Sequence, residues 1–309
     1  MERGQRKLFR KETGYIIRGL IWYFLVMILV AMGSTAVLLR GGISRDEAEG
    51  TGYIIGVAAG VAVLFIRNIL FGKKTDVFAE TGKRMRFRTF AVFFCLILMM
   101  QFLFIMGTGV IESVLNAAGL TMETAASHAA GEENTGISML LYSGIAGPVA
   151  EEIVHRGMVL KGLQKHGKVF ALILSSLLFG LGHINPVQIC LAVPLGILLG
   201  YIAVEYSVKW AVLLHIANNL LLGNLFVWLS EQMPGILSDL VFFGCLTAGS
   251  VAGIIALVKN RGKLKSWFAE NAAPKGYLRC AFTLPSVLIL CVADLLMGVG
   301  WMVTTIAPL

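Results

Sequence analysis

Polar side chains capable of chemistry gather in three short stretches, each set in an apolar run. The first reads Gly147-Pro148-Val149-Ala150-Glu151-Glu152-Ile153-Val154-His155-Arg156-Gly157. The second is Phe179-Gly180-Leu181-Gly182-His183, and the third is His215-Ile216-Ala217-Asn218-Asn219. On a helix, Glu152 and Arg156 share a face, which suits a salt bridge. Glu151 points about 100° away, so one carboxylate can be neutralised while its neighbour faces the interior. A carboxylate short of water is a usable general base. Taken alone, the pair reads better as a helix-end cap. Likewise a lone His183 reads as a packing residue, and Asn218 and Asn219 as interhelical glue. Three such groups in adjacent apolar segments, in a chain with five histidines, are a different matter. His215 and Asn219 also share a face, and both can donate toward one point.

The elements that must position these groups are membrane helices. The 309 residues are 57% hydrophobic and 14% charged, with a mean hydropathy of +0.80; soluble domains carry about 25% charged residues. Spans are expected at about 15–39, 52–72, 89–111, 136–160, 168–184, 186–206, 208–229, 236–258 and 280–306, each close to the length a bilayer needs. Backbone polar groups in lipid must be satisfied within the segment, so these are helices. The expectation is an all-α, polytopic bundle of about nine spans, one integral-membrane domain over 1–309 with a functional core at 136–222. Simple counting puts Glu151 and His215 toward one membrane face and His183 toward the other. For them to meet, the fifth helix must sit displaced inward or the fourth must run beyond residue 160.

Basic residues alternate by loop. Arg3, Arg6, Lys7, Arg10 and Lys11 precede the first span, and Lys73, Lys74, Lys83, Arg84, Arg86 and Arg88 fill the second loop. Lys161, Lys165 and Lys168 follow the fourth span, Lys209 the sixth, and six more cations lie between 259 and 279. The loop at 112–135 holds Glu112, Glu123, Glu132 and Glu133 without a cation. The positive-inside rule therefore puts the N-terminus in the cytoplasm. The net charge of +8 is thus a matter of topology, and no nucleic-acid partner is expected. Arg18 and Arg67 are expected to snorkel. The five cysteines form no CxxC pair and read as packing residues. Asp294, inside the last span, is expected to hydrogen-bond a neighbouring helix.

At the three motifs the sequence resembles the CAAX-protease and bacteriocin-processing family. The family pattern E-E-x-x-x-R, F-x-x-x-H, H-x-x-x-N reads here as Glu151-Glu152 with Arg156, Phe179 with His183, and His215 with Asn219. Where the pattern usually has Phe before the arginine, this chain has His155, which either packs like Phe or joins Glu151 on a metal. The resemblance covers roughly 136–222. It implies an intramembrane glutamate-dependent endopeptidase. Glu151 and His183 would activate water, His215 and Asn219 would stabilise the oxyanion, and Glu152, Arg156 and Phe179 would support them. A variant makes Glu151, His183 and His215 ligands of a zinc ion. The rival is a non-enzymatic membrane protein: an immunity factor, a scaffold or a transporter. The intact four-residue set argues against the scaffold, and the lack of a clear repeat argues against the transporter. A bacterial plasma membrane is the expected location, with the lipid bilayer and a peptide or membrane-protein substrate as partners.

Overall fold

The computed structural model describes residues 2–72, 76–78, 83–122, 136–225, 228 and 232–308. Lys73, Lys74, Glu123, Glu132 and Glu133, used in the loop-charge reading, lie outside them. A helical segment occupies each of the nine predicted positions. Seven are long and apolar enough to cross a membrane; Lys168–Leu181 and Val208–Gly223 are shorter. In chain order, α1 is Arg3–Arg40, α2 Arg45–Leu70, α3 Phe87–Ala117 and α4 Ile137–His166. Then come α5 at Lys168–Leu181, α6 at Pro186–Glu205, and α7 at Val208–Ile216, which runs on as a π-helix over Ala217–Leu225. Finally α8 is Gly235–Glu270, α9 Tyr277–Phe282 and α10 Pro285–Thr305. The extended backbone among the described residues is a two-residue antiparallel bridge of Leu120–Thr121 with Ala307–Pro308. The fold is an all-α polytopic bundle. Large apolar side chains such as Leu29, Val37, Ile236 and Val303 face outward, as a hydrocarbon solvent requires.

Several boundaries differ from expectation, each for a local reason. Helix α1 starts at Arg3 and not near 15, because Phe9, Thr13 and Ile17 are buried and the Phe9 ring packs edge-on against His166, Phe170 and Tyr277. Helix α8 continues past 258 to Glu270, where Trp267 donates its indole N–H to Glu205 at 2.8 Å. The predicted span 280–306 is broken before Pro285, which sits at the helix start, where its missing N–H costs nothing. The Arg67 guanidinium lies 3.6 Å over the Tyr15 ring and donates to the Tyr15 carbonyl at 2.7 Å, tying α2 to α1. The five cysteines are all free.

Two close approaches set the frame. Without a hydrophobic force between helices in lipid, small residues that admit a neighbouring backbone decide packing. Gly52, Gly56 and Gly60 form such a stripe on α2. A β-carbon on Gly56 would lie 2.6 Å from the Met27 carbonyl, and one on Gly60 would lie 2.8 Å from the Tyr23 ring. The second approach joins α5 and α6, where a β-carbon on Gly196 would meet Phe179 and Ser176 at 3.1 Å and one on Gly180 would meet Val193. This is the contact expected of the Ser176/Gly180 pair. Between α4 and α5 the chain turns at Gly167, whose φ of 123° is closed to residues with a side chain.

Contacts between loops define the two ends of the bundle. At one end, Lys165 meets Glu12 at 2.6 Å and Arg10 donates to the Thr283 hydroxyl at 2.9 Å. At the same end Glu205 gathers Lys83, Lys168 and Trp267, and its hydrogen bond raises the Lys83 pKa. At the other end, Glu47 accepts from the backbone N–H groups of Ile137 and Ser138. All the basic termini and loops in these contacts share one face.

Gly56→Leu is expected to destabilise the protein by about 1–3 kcal/mol, the usual cost of overpacking. Gly107→Leu, where no atom lies within 4 Å of a built β-carbon, should be near neutral. Thermal unfolding midpoints in detergent micelles check both; equal midpoints would refute the glycine seam.

Candidate active site

Helix α4 leaves α-geometry twice, with π-helical turns at Tyr142–Ala146 and Glu152–Leu160 flanking Gly147–Glu151. Helix α7 does the same from Ala217, two residues after His215. Such turns are rare and tend to gather at functional sites. Every polar group of the first and third motifs therefore sits in a π-helical turn or within two residues of one. No periodicity in the sequence announced these turns; the one local cue is Pro148, which lacks an N–H to donate.

Arg156 and Glu152 are almost wholly buried, with side-chain exposures of 1% and 0%, and lie 2.8 Å apart, Nη1 to Oε1. The contact is an ion pair without the alignment of a hydrogen bond, since Nη1 has no hydrogen-bonding partner. The same Oε1 is 2.9 Å from His215 Nδ1, a pairing the sequence did not reveal. The guanidinium stands 4.1 Å over the Phe179 ring, and its Nη2 donates to the Gly196 carbonyl at 3.4 Å. Around the same ring sit three imidazoles, nearly perpendicular to it: His183 at 4.9 Å, His155 at 5.4 Å and His215 at 5.8 Å between centroids. Phe179 is thus the hub that spaces the histidines.

His155 is buried, packs its edge on Phe179 and tilts against Phe24. Ser175 reaches its backbone carbonyl at 2.8 Å. It occupies the place of an aromatic residue, while its Nδ1 has no partner.

His183 stands in the turn after α5. Its backbone N–H bonds to the Gly180 carbonyl, which frees the Phe179 carbonyl for His183 Nδ1 at 3.0 Å. A carbonyl only accepts, so Nδ1 carries the proton, and in the neutral ring Nε2 is left as an acceptor. The turn is well built: Ile184 takes a left-handed φ of 64°, and Asn185 caps α6 by accepting from the Val187 N–H at 2.9 Å. A β-carbon on Gly298 of α10 would lie 2.7 Å from the Ile184 carbonyl. Helix α5 stops at Leu181 and α4 runs on to His166, beyond residue 160, and His183 and His215 both pack against Phe179.

Glu151 differs from its neighbour. Its side chain is 28% exposed, and its nearest ionic partner is His215 Nε2 at 3.7 Å. Among the described residues no hydrogen bond or ion pair joins Glu151 directly to His183. Tyr23 of α1 and Tyr142 of α4 lie within electrostatic reach of it, two residues that sequence reasoning passed over. Asn219 donates from Nδ2 to the Ser143 carbonyl at 2.9 Å and accepts from Asn218 at 2.8 Å. Asn218 accepts in turn from Gln101 of α3 at 2.9 Å.

A zinc ion needs three or four converging ligands. Among the described residues no three His, Cys, Asp or Glu side chains are placed to hold an ion together. With Nδ1 of His183 on the Phe179 carbonyl and Nδ1 of His215 on Glu152, each ring has only Nε2 to offer an ion. The set Glu151, His183 and His215 does not fit a zinc site as arranged, nor does His155 with Glu151. Asp294 corrects another expectation. It is buried at 4% exposure, yet its Oδ2 finds no hydrogen bond on a neighbouring helix.

Removing one partner of a buried ion pair strands the other charge, so Arg156→Met should cost about 3–5 kcal/mol of stability. Replacing Arg156 and Glu152 together by Met and Leu should cost less than Arg156→Met alone. Midpoints of denaturant unfolding for the two variants provide the check; a larger loss in the double variant would contradict the pairing.

Residues 133–221 match the family described as Rce1-like, type II CAAX prenyl endopeptidase. The matched stretch holds all three polar motifs and the helices α4 to α7 that bring them together. No curated protein and no solved structure matches the chain. Over this stretch, and with all three motifs inside it, the chain is similar to the CAAX protease family.

Proposed function

We propose that the chain is an intramembrane endopeptidase that hydrolyses a peptide bond in a peptide or membrane-associated protein. The observation that carries this reading is the contrast between two adjacent carboxylates. Glu152 is locked between Arg156 and His215, while Glu151 is partly exposed, with no closer ionic partner than His215 Nε2.

In the proposed reaction, a water sits against Glu151, which takes its proton as general base, and His183 Nε2 accepts the water's second hydrogen to aim its lone pair. Attack on the scissile carbonyl places negative charge on the substrate oxygen. His215, doubly protonated, donates from Nε2 to that oxyanion while Nδ1–H stays on Glu152. The Glu152 carboxylate lies between the Arg156 guanidinium and the His215 ring and touches both. The free N–H of Asn219 is the second donor. Glu151 then returns its proton to the leaving amine. General-base help of this kind contributes about 10²–10⁴, and one oxyanion donor about 10²–10³ in kcat.

The basic face of the bundle supports a cytoplasmic N-terminus, and we propose nine crossings in a bacterial plasma membrane. Alkaline phosphatase fused after Leu309 should then be active outside the cell and inactive when fused after Glu270. The reverse pattern would invert the topology.

Glu151→Gln should abolish cleavage, and Asn219→Ala should retain a remnant reduced about 10²–10³-fold. New peptide termini in membranes expressing wild type or Glu151→Gln at matched levels test this and reveal the substrate. Identical termini with both proteins folded would refute the protease reading and leave a non-enzymatic role.

A further inference from the structure

Asn219, Asn218 and Gln101 form a chain of amides with one direction. Gln101 Nε2 donates to Asn218 Oδ1 at 2.9 Å, Asn218 Nδ2 to Asn219 Oδ1 at 2.8 Å, and Asn219 Nδ2 to the Ser143 carbonyl at 2.9 Å. An amide oxygen only accepts and its nitrogen only donates, so fixing the polarity of one link fixes the next. The far end is anchored by a carbonyl, which cannot donate.

The sequence makes that carbonyl available. In the π-helical turn Tyr142–Ala146, the Gly147 N–H bonds to the Tyr142 carbonyl, five residues back. Continuing the register, the Ser143 carbonyl would take the N–H of residue 148, and residue 148 is proline. An α-helical register would have freed the Gly144 carbonyl instead. The π-turn shifts the vacancy to Ser143, and Asn219 fills it.

We infer that Gln101 is a positioning residue: through Asn218 it holds the Asn219 amide with its oxygen occupied and its second N–H turned to the site. The inference rests on the protease reading above, in which Asn219 donates to the oxyanion. Reversing the chain would set the Asn219 oxygen against the Ser143 oxygen and withdraw the N–H from the substrate. Gln101 lies on α3, outside the matched segment 133–221, so the site extends to a helix that the three motifs do not include. The plainer role, interhelical glue between α3 and α7, predicts lost stability without a specific effect on turnover.

The substrate found from the new termini allows kinetics on protein in lipid nanodiscs. Gln101→Glu keeps the size but, ionised, only accepts, so it favours the reversed chain. Gln101→His presents an N–H at similar reach. Gln101→Glu should lower kcat about tenfold or more with KM nearly unchanged, the mark of an interaction made in the transition state. Gln101→His should stay within about threefold of wild type, because it restores the donor. Wild-type kcat in Gln101→Glu, or equal losses in both variants, would overturn the inference. So would additive shifts in unfolding midpoint for Gln101→Met and Asn219→Leu singly and together, since linked residues are non-additive. If Glu151→Gln leaves the termini unchanged, the failure belongs to the protease reading, and the additivity measurement alone reports whether the amide chain exists.

Discussion

A guanidinium buried to 1% exposure inside a lipid-embedded bundle must be compensated, and the compensation organises the centre of this protein. Burying an ion costs several kcal/mol after relaxation. Arg156 therefore needs the Glu152 carboxylate, the face of Phe179 and the Gly196 carbonyl. Phe179 and Gly196 can both reach it only if α5 and α6 approach closely, which the Gly180 and Gly196 contacts permit. Glu152, once committed, draws in His215 from α7. One charge thus recruits four helical elements.

That arrangement also separates the roles of two adjacent glutamates. Consecutive positions on a helix point in different directions, so Glu152 faces the guanidinium while Glu151 faces a partly open space beside His215. On the proposed reading, the buried pair supplies charge balance and orientation, and the freer carboxylate does the chemistry. The same economy appears in the ring cluster, where Phe179 packs against His183, His215 and His155. The amide chain through Asn218 extends this order to α3.

Two kinds of information separated cleanly. Apolar runs are legible because every lipid-facing backbone group must be satisfied locally, and a described helix falls on each of the nine runs. The Glu152–Arg156 pair was legible because four-residue spacing is a local property. The helix ends were less so: the polar tail of α1 stays helical only because Phe9 finds His166, Phe170 and Tyr277, partners far along the chain. Asp294 was expected to bond a neighbour, yet its buried Oδ2 finds no partner among the described residues, an outcome of packing that no local pattern encodes.

By itself, the sequence determined a membrane-embedded helical bundle, the order of its elements and the identity of the polar residues, because spacing and composition act locally. Only the tertiary structure decided that Glu152 is shared with His215, that His183 and His215 both pack on Phe179, and that Gln101 bonds Asn218. Those facts depend on where helices end, on π-helical turns that rotate side chains, and on contacts between residues up to 117 positions apart. Such contacts are fixed by the packing of whole helices against one another.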